Sequence, residues 1–182
     1  MRPEEADFLR AYLLPQLRSE QSVTRRILAA IPIGQEEYRP HEKNWTALRL
    51  ARHLAGTEMW FLHAVIHGQF VDGQGPSGEV RTGAAMAAWY EEQAARRTAQ
   101  IEALPGDQLA APVNWLGLRN DPAVTYLSLA IRHTVHHRGQ LSAYLRPMGA
   151  KVPAIYVASA DEPFEASPEE IASGAVPRPP AF

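Results

Sequence analysis

Proline and glycine divide this chain into four stretches of helical composition, and that punctuation limits the fold more than any other feature. The first stretch runs from about Pro3 to Ile31. Pro3 followed by Glu4 and Glu5 suits a helix start, with proline in the first turn and acids against the positive end of the dipole. Pro15 should kink or restart this helix, and Pro32 with Gly34 ends it. The second stretch runs from about Thr46 to His67, with Asn44 or Thr46 as N-cap and Gly68 as stop. A glycine-rich link over 72–78 must be a loop. The third stretch runs from about Thr82 to Leu104 and closes at Pro105-Gly106. The fourth is expected to start at Asp121-Pro122, an N-cap followed by proline at the first helical position, and to end at Pro147. Strand-like alternation before residue 150 is confined to a short candidate around Val113–Leu118.

Four helices of about 20 residues predict an all-α four-helix bundle with long loops, a fold that builds metal and cofactor sites from inward-facing side chains. Prolines at 147, 153, 163, 168, 177, 179 and 180 forbid a regular helix in the tail. The expected organisation is a bundle over residues 1–164 with an extended C-terminal wrap, then a disordered proline-rich tail over 165–182.

Composition narrows the chemistry. The chain has 182 residues, enough for one domain. It has no cysteine, so it offers no disulfide, no thiolate ligand and no thiol nucleophile of its own. Lys and Arg number 18 against 20 Asp and Glu, which leaves no basic excess for nucleic acid. No run approaches the ~20 apolar residues of a membrane span, and no apolar segment follows Arg2 as in a secretory signal. A cytoplasmic protein that binds neither membrane nor nucleic acid is the expectation.

The fourth stretch carries His133, His136 and His137. Residues four apart on a helix differ by about 40° in direction and one turn in height. His133 and His137 therefore share a face and can converge on one cation at ~2.0–2.1 Å each. His136 points about 100° away from its neighbour. Tyr126, Gln140 and Tyr144 lie on the same face as the pair, so a stripe that should be apolar core carries polar groups in a row. Read alone, such a pair serves a metal or is simply two half-exposed histidines. A third ligand is required, and His53, mid-helix among Leu50, Ala51, Leu54 and Ala55, is the best candidate. His63 and His67 form a rival pair, read here as surface groups near a helix end. Trp60, Trp89 and Tyr90 read as core packing. Arg138 reads equally as a donor behind His137 or as a surface charge.

The string His133-Thr-Val-His136-His137-Arg138-Gly139-Gln140-Leu141, with Tyr144-Leu145-Arg146 after it, resembles the signature of the DinB-like (YfiT-like) metalloenzymes, which are four-helix bundles. The segment Tyr38–Trp45 and the tail segment Val152–Tyr156 are similar to segments of that family. The resemblance covers about residues 1 to 164. It implies that His53, His133 and His137 hold one divalent metal ion, and that the protein forms a homodimer. It also implies relatives that are thiol-dependent S-transferases and isomerases.

Three neutral imidazoles leave an open coordination position, the pattern of catalytic rather than structural zinc. Zinc is the expected ion, with nickel, iron, manganese and copper also compatible. The expected activity is transfer of a small-molecule thiol, or of water, to a small electrophile. The alternatives are a metal-dependent hydrolase and a non-catalytic metal-binding stress-response bundle. Gln140 and Tyr144 are the candidates for catalytic groups that orient substrate or solvent. Glu58 is five residues past His53 and so points about 140° away from it.

Overall fold

The structure, a computed structural model, describes residues 1–163. Helix α1 (Pro3–Ala29) starts with proline in its first turn, and Glu5 reaches back to accept from the Arg2 backbone N–H at 3.0 Å. It runs unbroken through Pro15, where a kink or restart was expected. The reason is placement. Pro15 and Ala11 both face solvent, where the carbonyl that loses its amide partner can bond water.

Helix α2 (Ala47–His67) is capped by Thr46, whose hydroxyl accepts from the Arg49 amide at 3.3 Å. It stops at Gly68, which takes a left-handed φ of 69°. Helix α3 (Gly83–Glu102) is capped in the same way by Thr82, which accepts from the Ala85 amide at 3.2 Å. A Cβ at Gly83 would lie 2.6 Å from the Leu28 carbonyl oxygen, so only glycine lets α3 begin against the end of α1.

Two elements were not foreseen in this form. A short helix, α4 (Gly106–Ala110), precedes an antiparallel hairpin of β1 (Pro112–Trp115) and β2 (Arg119–Pro122). The strand candidate around Val113–Leu118 is thus one strand and the turn that follows it. The expected helix start at Asp121-Pro122 is overturned: both residues belong to β2, where Asp121 pairs with Val113 and Pro122 with Pro112. Helix α5 (Thr125–Leu145) begins three residues later, without a side-chain cap at Val124. Proline at the end of a two-stranded ribbon costs no interior ladder bond, so the same dipeptide that starts helices is tolerated here.

The four long helices close a ring in which α1 packs on α3, α3 on α2, α2 on α5 and α5 back on α1. Leu17, Ile27, Leu54, Met59, Leu62, Met86, Ile101 and Leu141 fill its centre, all fully buried. The architecture among the described residues is the expected all-α bundle with one small hairpin added. None of the described helices is long and apolar enough to cross a membrane. Residues 150–163 run without helix along α1 and α5. There Arg26 donates to the Ala154 carbonyl at 3.1 Å and Arg138 to the Tyr156 hydroxyl at 2.8 Å. The disorder expected over 165–182 lies outside the described residues.

Candidate metal centre

Helices α2 and α5 are neighbours in the ring, and their facing sides bring three imidazoles together. His53 sits in the middle of α2; His133 and His137 sit one turn apart on α5, with ring centroids 4.4 Å apart. The Nε2 of His53 lies 3.0 Å from that of His133 and 3.2 Å from that of His137. Nitrogens that share a cation at ~2.0–2.1 Å stand roughly 3.0–3.4 Å apart. These three residues could hold a metal ion.

Proton accounting shows why a cation fits. The amide oxygen of Gln140 lies 2.7 Å from His137 Nδ1, so that nitrogen donates and His137 Nε2 is left with a bare lone pair. His53 Nε2 carries either a hydrogen or a lone pair, yet it faces two ring nitrogens at hydrogen-bond distance. At most one of those contacts can be a hydrogen bond. A cation at the point of convergence turns all three lone pairs into ligands at once. Thr57 stands behind His53, with its hydroxyl 3.3 Å from Nδ1. His133 Nδ1 is buried with no partner among the described residues.

The surroundings keep the rings neutral. Burial, followed by the charges of His137, His53 and His136, lowers the pKa of His133 to about 3. Phe61 contributes to that burial with its ring 6.2 Å from His133. Burial also lowers His53, with smaller contributions from His137 and Arg49, and lowers His137 against the opposing hydrogen bond of Gln140. Neutral imidazole is the form that ligates metal.

The other sequence candidates separate clearly. Gln140, expected to face substrate or solvent, lies against His137 and holds its tautomer. Tyr144 is buried, and its hydroxyl accepts from Asn44 Nδ2 at 3.3 Å. Tyr126 belongs to the fold: its hydroxyl donates to the Val113 carbonyl at 2.9 Å and ties the hairpin to α5. His136 is exposed. His67 is exposed and His63 half-buried, with their rings 4.3 Å apart. Trp60 and Trp89 pack partly buried against the core, and Tyr90 is fully buried. Arg138 is neither a surface charge nor a donor to the triad. It is 1 % exposed and pairs with Glu20 of α1 at 2.6 Å.

Sequence reasoning missed what Glu58 does. It points away from the imidazoles, as the helical angle required, into a fully buried polar network. Its carboxyl oxygens accept from Gln21 Nε2 at 2.8 Å and from the hydroxyls of Tyr90 and Thr134 at 2.7 Å each. Burial raises its pKa against these three hydrogen bonds. The available signal was one acid inside the apolar run from Leu54 to Leu62.

A cleft of about 440 Å³ opens beside His137 and is lined by Lys43, Asn44, Trp45, Gln140 and Tyr144. Trp45 stands edge-on to His53, centroids 4.8 Å apart, and so reaches the triad from the loop before α2. A second cleft of about 430 Å³ lies between α1 and α3, and no histidine lines it. Of the two, the first is the one that reaches the triad, at His137.

A family model described as the DinB family matches residues 7–170. No curated protein matches the chain. Among solved structures, a DinB-like protein from Bacillus subtilis aligns with a TM-score of 0.67 at 23% identity, covering 79% of this chain and 97% of that one. A DinB-like protein from Bacillus cereus aligns with a TM-score of 0.68 at 20% identity, covering 79% and 95%. At these identities the two structures speak for the fold.

Proposed function

The chain belongs to the DinB family, and on that premise we propose that it is a metal-dependent enzyme acting on a small molecule, with His53, His133 and His137 as the ligands of one divalent cation. The observation that carries this reading is the convergence of three Nε2 atoms on one point beside an open cleft. A bound cation supplies Lewis acidity, which makes an incoming thiol or water nucleophilic near neutral pH.

The chain's own residues set the stage for that chemistry. Gln140 keeps the proton of His137 on Nδ1 and its lone pair turned inward. Thr57 holds the ring of His53 from behind. Phe61 and Trp45 flank the triad with apolar rings, edge-on to His133 and His53. Among the described residues no carboxylate lines the cleft, so no aspartate or glutamate there is placed as a general base. That lack favours a nucleophile already acidic enough to lose its proton on the metal. A small thiol meets the requirement better than water, since a free thiol ionises near pH 8.5. Thiol transfer to a small electrophile is therefore the preferred activity, and hydrolysis the second. Zinc is the preferred ion, because thiolate and imidazole both suit it. A homodimer is also part of the proposal and rests on the family resemblance.

The test is turnover of a chromogenic electrophile, with and without added thiol, by metal-loaded and chelator-treated protein. Activity that needs both metal and thiol supports the reading. Activity with metal and no thiol selects the hydrolase. Full activity after the metal is removed overturns both.

A further inference from the structure

Donors and positive charge predominate in the cleft beside His137. Asn44 uses one amide N–H on the Tyr144 hydroxyl oxygen. The proton of that hydroxyl has no acceptor among the described residues, and neither does the second N–H of Asn44. Gln140 commits its amide oxygen to His137, which leaves its two N–H groups for the cleft. Lys43 adds an exposed ammonium group that makes no ion pair among the described residues. Among the described residues, no aspartate or glutamate lines the space. Arg49 lies over the Trp45 ring at 4.8 Å and adds a second positive charge next to the cleft wall. Apart from the Asn44 amide oxygen, the uncommitted polar groups named here are donors, and the charge of the lining is positive. A neutral ligand would gain nothing from that charge.

We propose that the cleft binds a small organic carboxylate. The Tyr144 hydroxyl, the free Asn44 N–H and the Lys43 ammonium take its oxygens, and Trp45 takes its apolar body. The carboxylate thus names the substrate class of the metal centre, and its role in turnover rests on that reading of the triad. Binding of the anion itself does not. Tyr144 is the most specific of the three contacts. It is buried, and its orientation is fixed by the hydrogen bond from Asn44 and by the edge of Tyr38, whose ring centroid is 6.0 Å away.

The experiment is isothermal titration of the full chain, freed of metal by chelator, with sodium benzoate and with benzamide, its uncharged analogue. Benzoate should bind once per chain, and benzamide about tenfold more weakly or worse, the difference one hydrogen-bonded charge makes. Benzoate affinity should fall with added salt. Lys43→Met should weaken benzoate about threefold, the effect of one exposed charge, and should flatten that salt dependence. Tyr144→Phe should weaken it about tenfold through the lost charge-assisted hydrogen bond, while far-ultraviolet circular dichroism reports the fold. If Tyr144→Phe unfolds, Asn44→Ala and Lys43→Met decide the matter. Equal binding of benzoate and benzamide overturns the proposal. So does no benzoate binding at millimolar concentration, or unchanged affinity in the folded variants. Zinc is titrated into the same samples: benzoate binding without zinc binding sinks the metal reading alone, and zinc binding without benzoate binding sinks this one alone.

Discussion

The amide oxygen of Gln140 lies 2.7 Å from Nδ1 of His137, three residues before it on the same face of α5. The contact fixes which nitrogen of His137 faces His53. Gln140→Leu should therefore lower zinc affinity by about 10- to 100-fold, the usual cost of losing a partner behind a ligating histidine. Gln140→Glu keeps an acceptor at that position and should preserve the affinity. Competition with a chromophoric chelator measures both. Equal zinc affinity in Gln140→Leu and the unmutated chain would refute the role.

Stability without metal should depend on pH through His133. Its folded pKa of about 3 lies below the ordinary 6.5. Between those values the unfolded chain binds the proton and the folded chain does not. The contribution is present above pH 6.5 and is lost as the pH falls toward 3. A His133→Leu variant should show a flatter Tm profile over that window than the unmutated chain, both free of metal. Parallel profiles would contradict this.

Metal occupancy should follow the same direction, because protons and cation compete for the same lone pairs. The three lowered pKa values move that competition to lower pH than free histidine would show. Elemental analysis of dialysed protein should find about one divalent ion per chain at pH 7.5. His53→Ala, His133→Ala and His137→Ala should each reduce it. Loss of the ion on His63→Ala, with retention on His53→Ala, would show the wrong set of ligands.

Glu58 makes a separate prediction about stability. Glu58→Ala leaves Gln21, Tyr90 and Thr134 with buried donors and no acceptor, and should cost about 3 kcal/mol or more. Glu58→Gln should cost less, because its carbonyl still accepts and both hydroxyls can accept from its amide. The folded pKa of Glu58 is raised above the ordinary 4.5 by burial. The stability it lends is complete below 4.5 and declines as the pH rises through the raised value. Urea denaturation across pH should show that decline in the unmutated chain and a weaker one in Glu58→Gln.

The proposed homodimer is checked by solution scattering over a range of concentrations. The expected mass is twice that of the 20.2 kDa chain. A single-chain mass throughout would exclude it.

Features governed by local chemistry were legible in the sequence. Thr46 and Gly68 cap and stop α2 where expected, and Thr82, expected only as the start of the third helix, caps it. The proximity of His133 to His137 follows from helical spacing alone; the apolar run made His53 the best third candidate, and the family resemblance implied its place beside them. Features decided by distant partners were not legible. Asp121-Pro122 carries a sound helix-start signal, and only its pairing with Pro112 and Val113 makes it a strand. The partner of Gln140 could be guessed only as substrate, because its helical angle does not say which neighbour the amide meets. Arg138 looked ambiguous until Glu20, far away in the chain, was seen beside it. The network around Glu58 draws on four helices, so no single segment announces it.

The ring order of the helices has a consequence for how the protein is made. His53 leaves the ribosome with α2, but its two partners belong to α5, the last helix among the described residues. Any nascent chain ending before residue 133 has one of the three imidazoles and no wall of α5 to hold it. Ion capture by the full triad cannot guide folding steps that precede the synthesis of α5. An ion held by the triad would therefore fasten α5 to α2 only after both helices exist, locking the bundle late rather than seeding it.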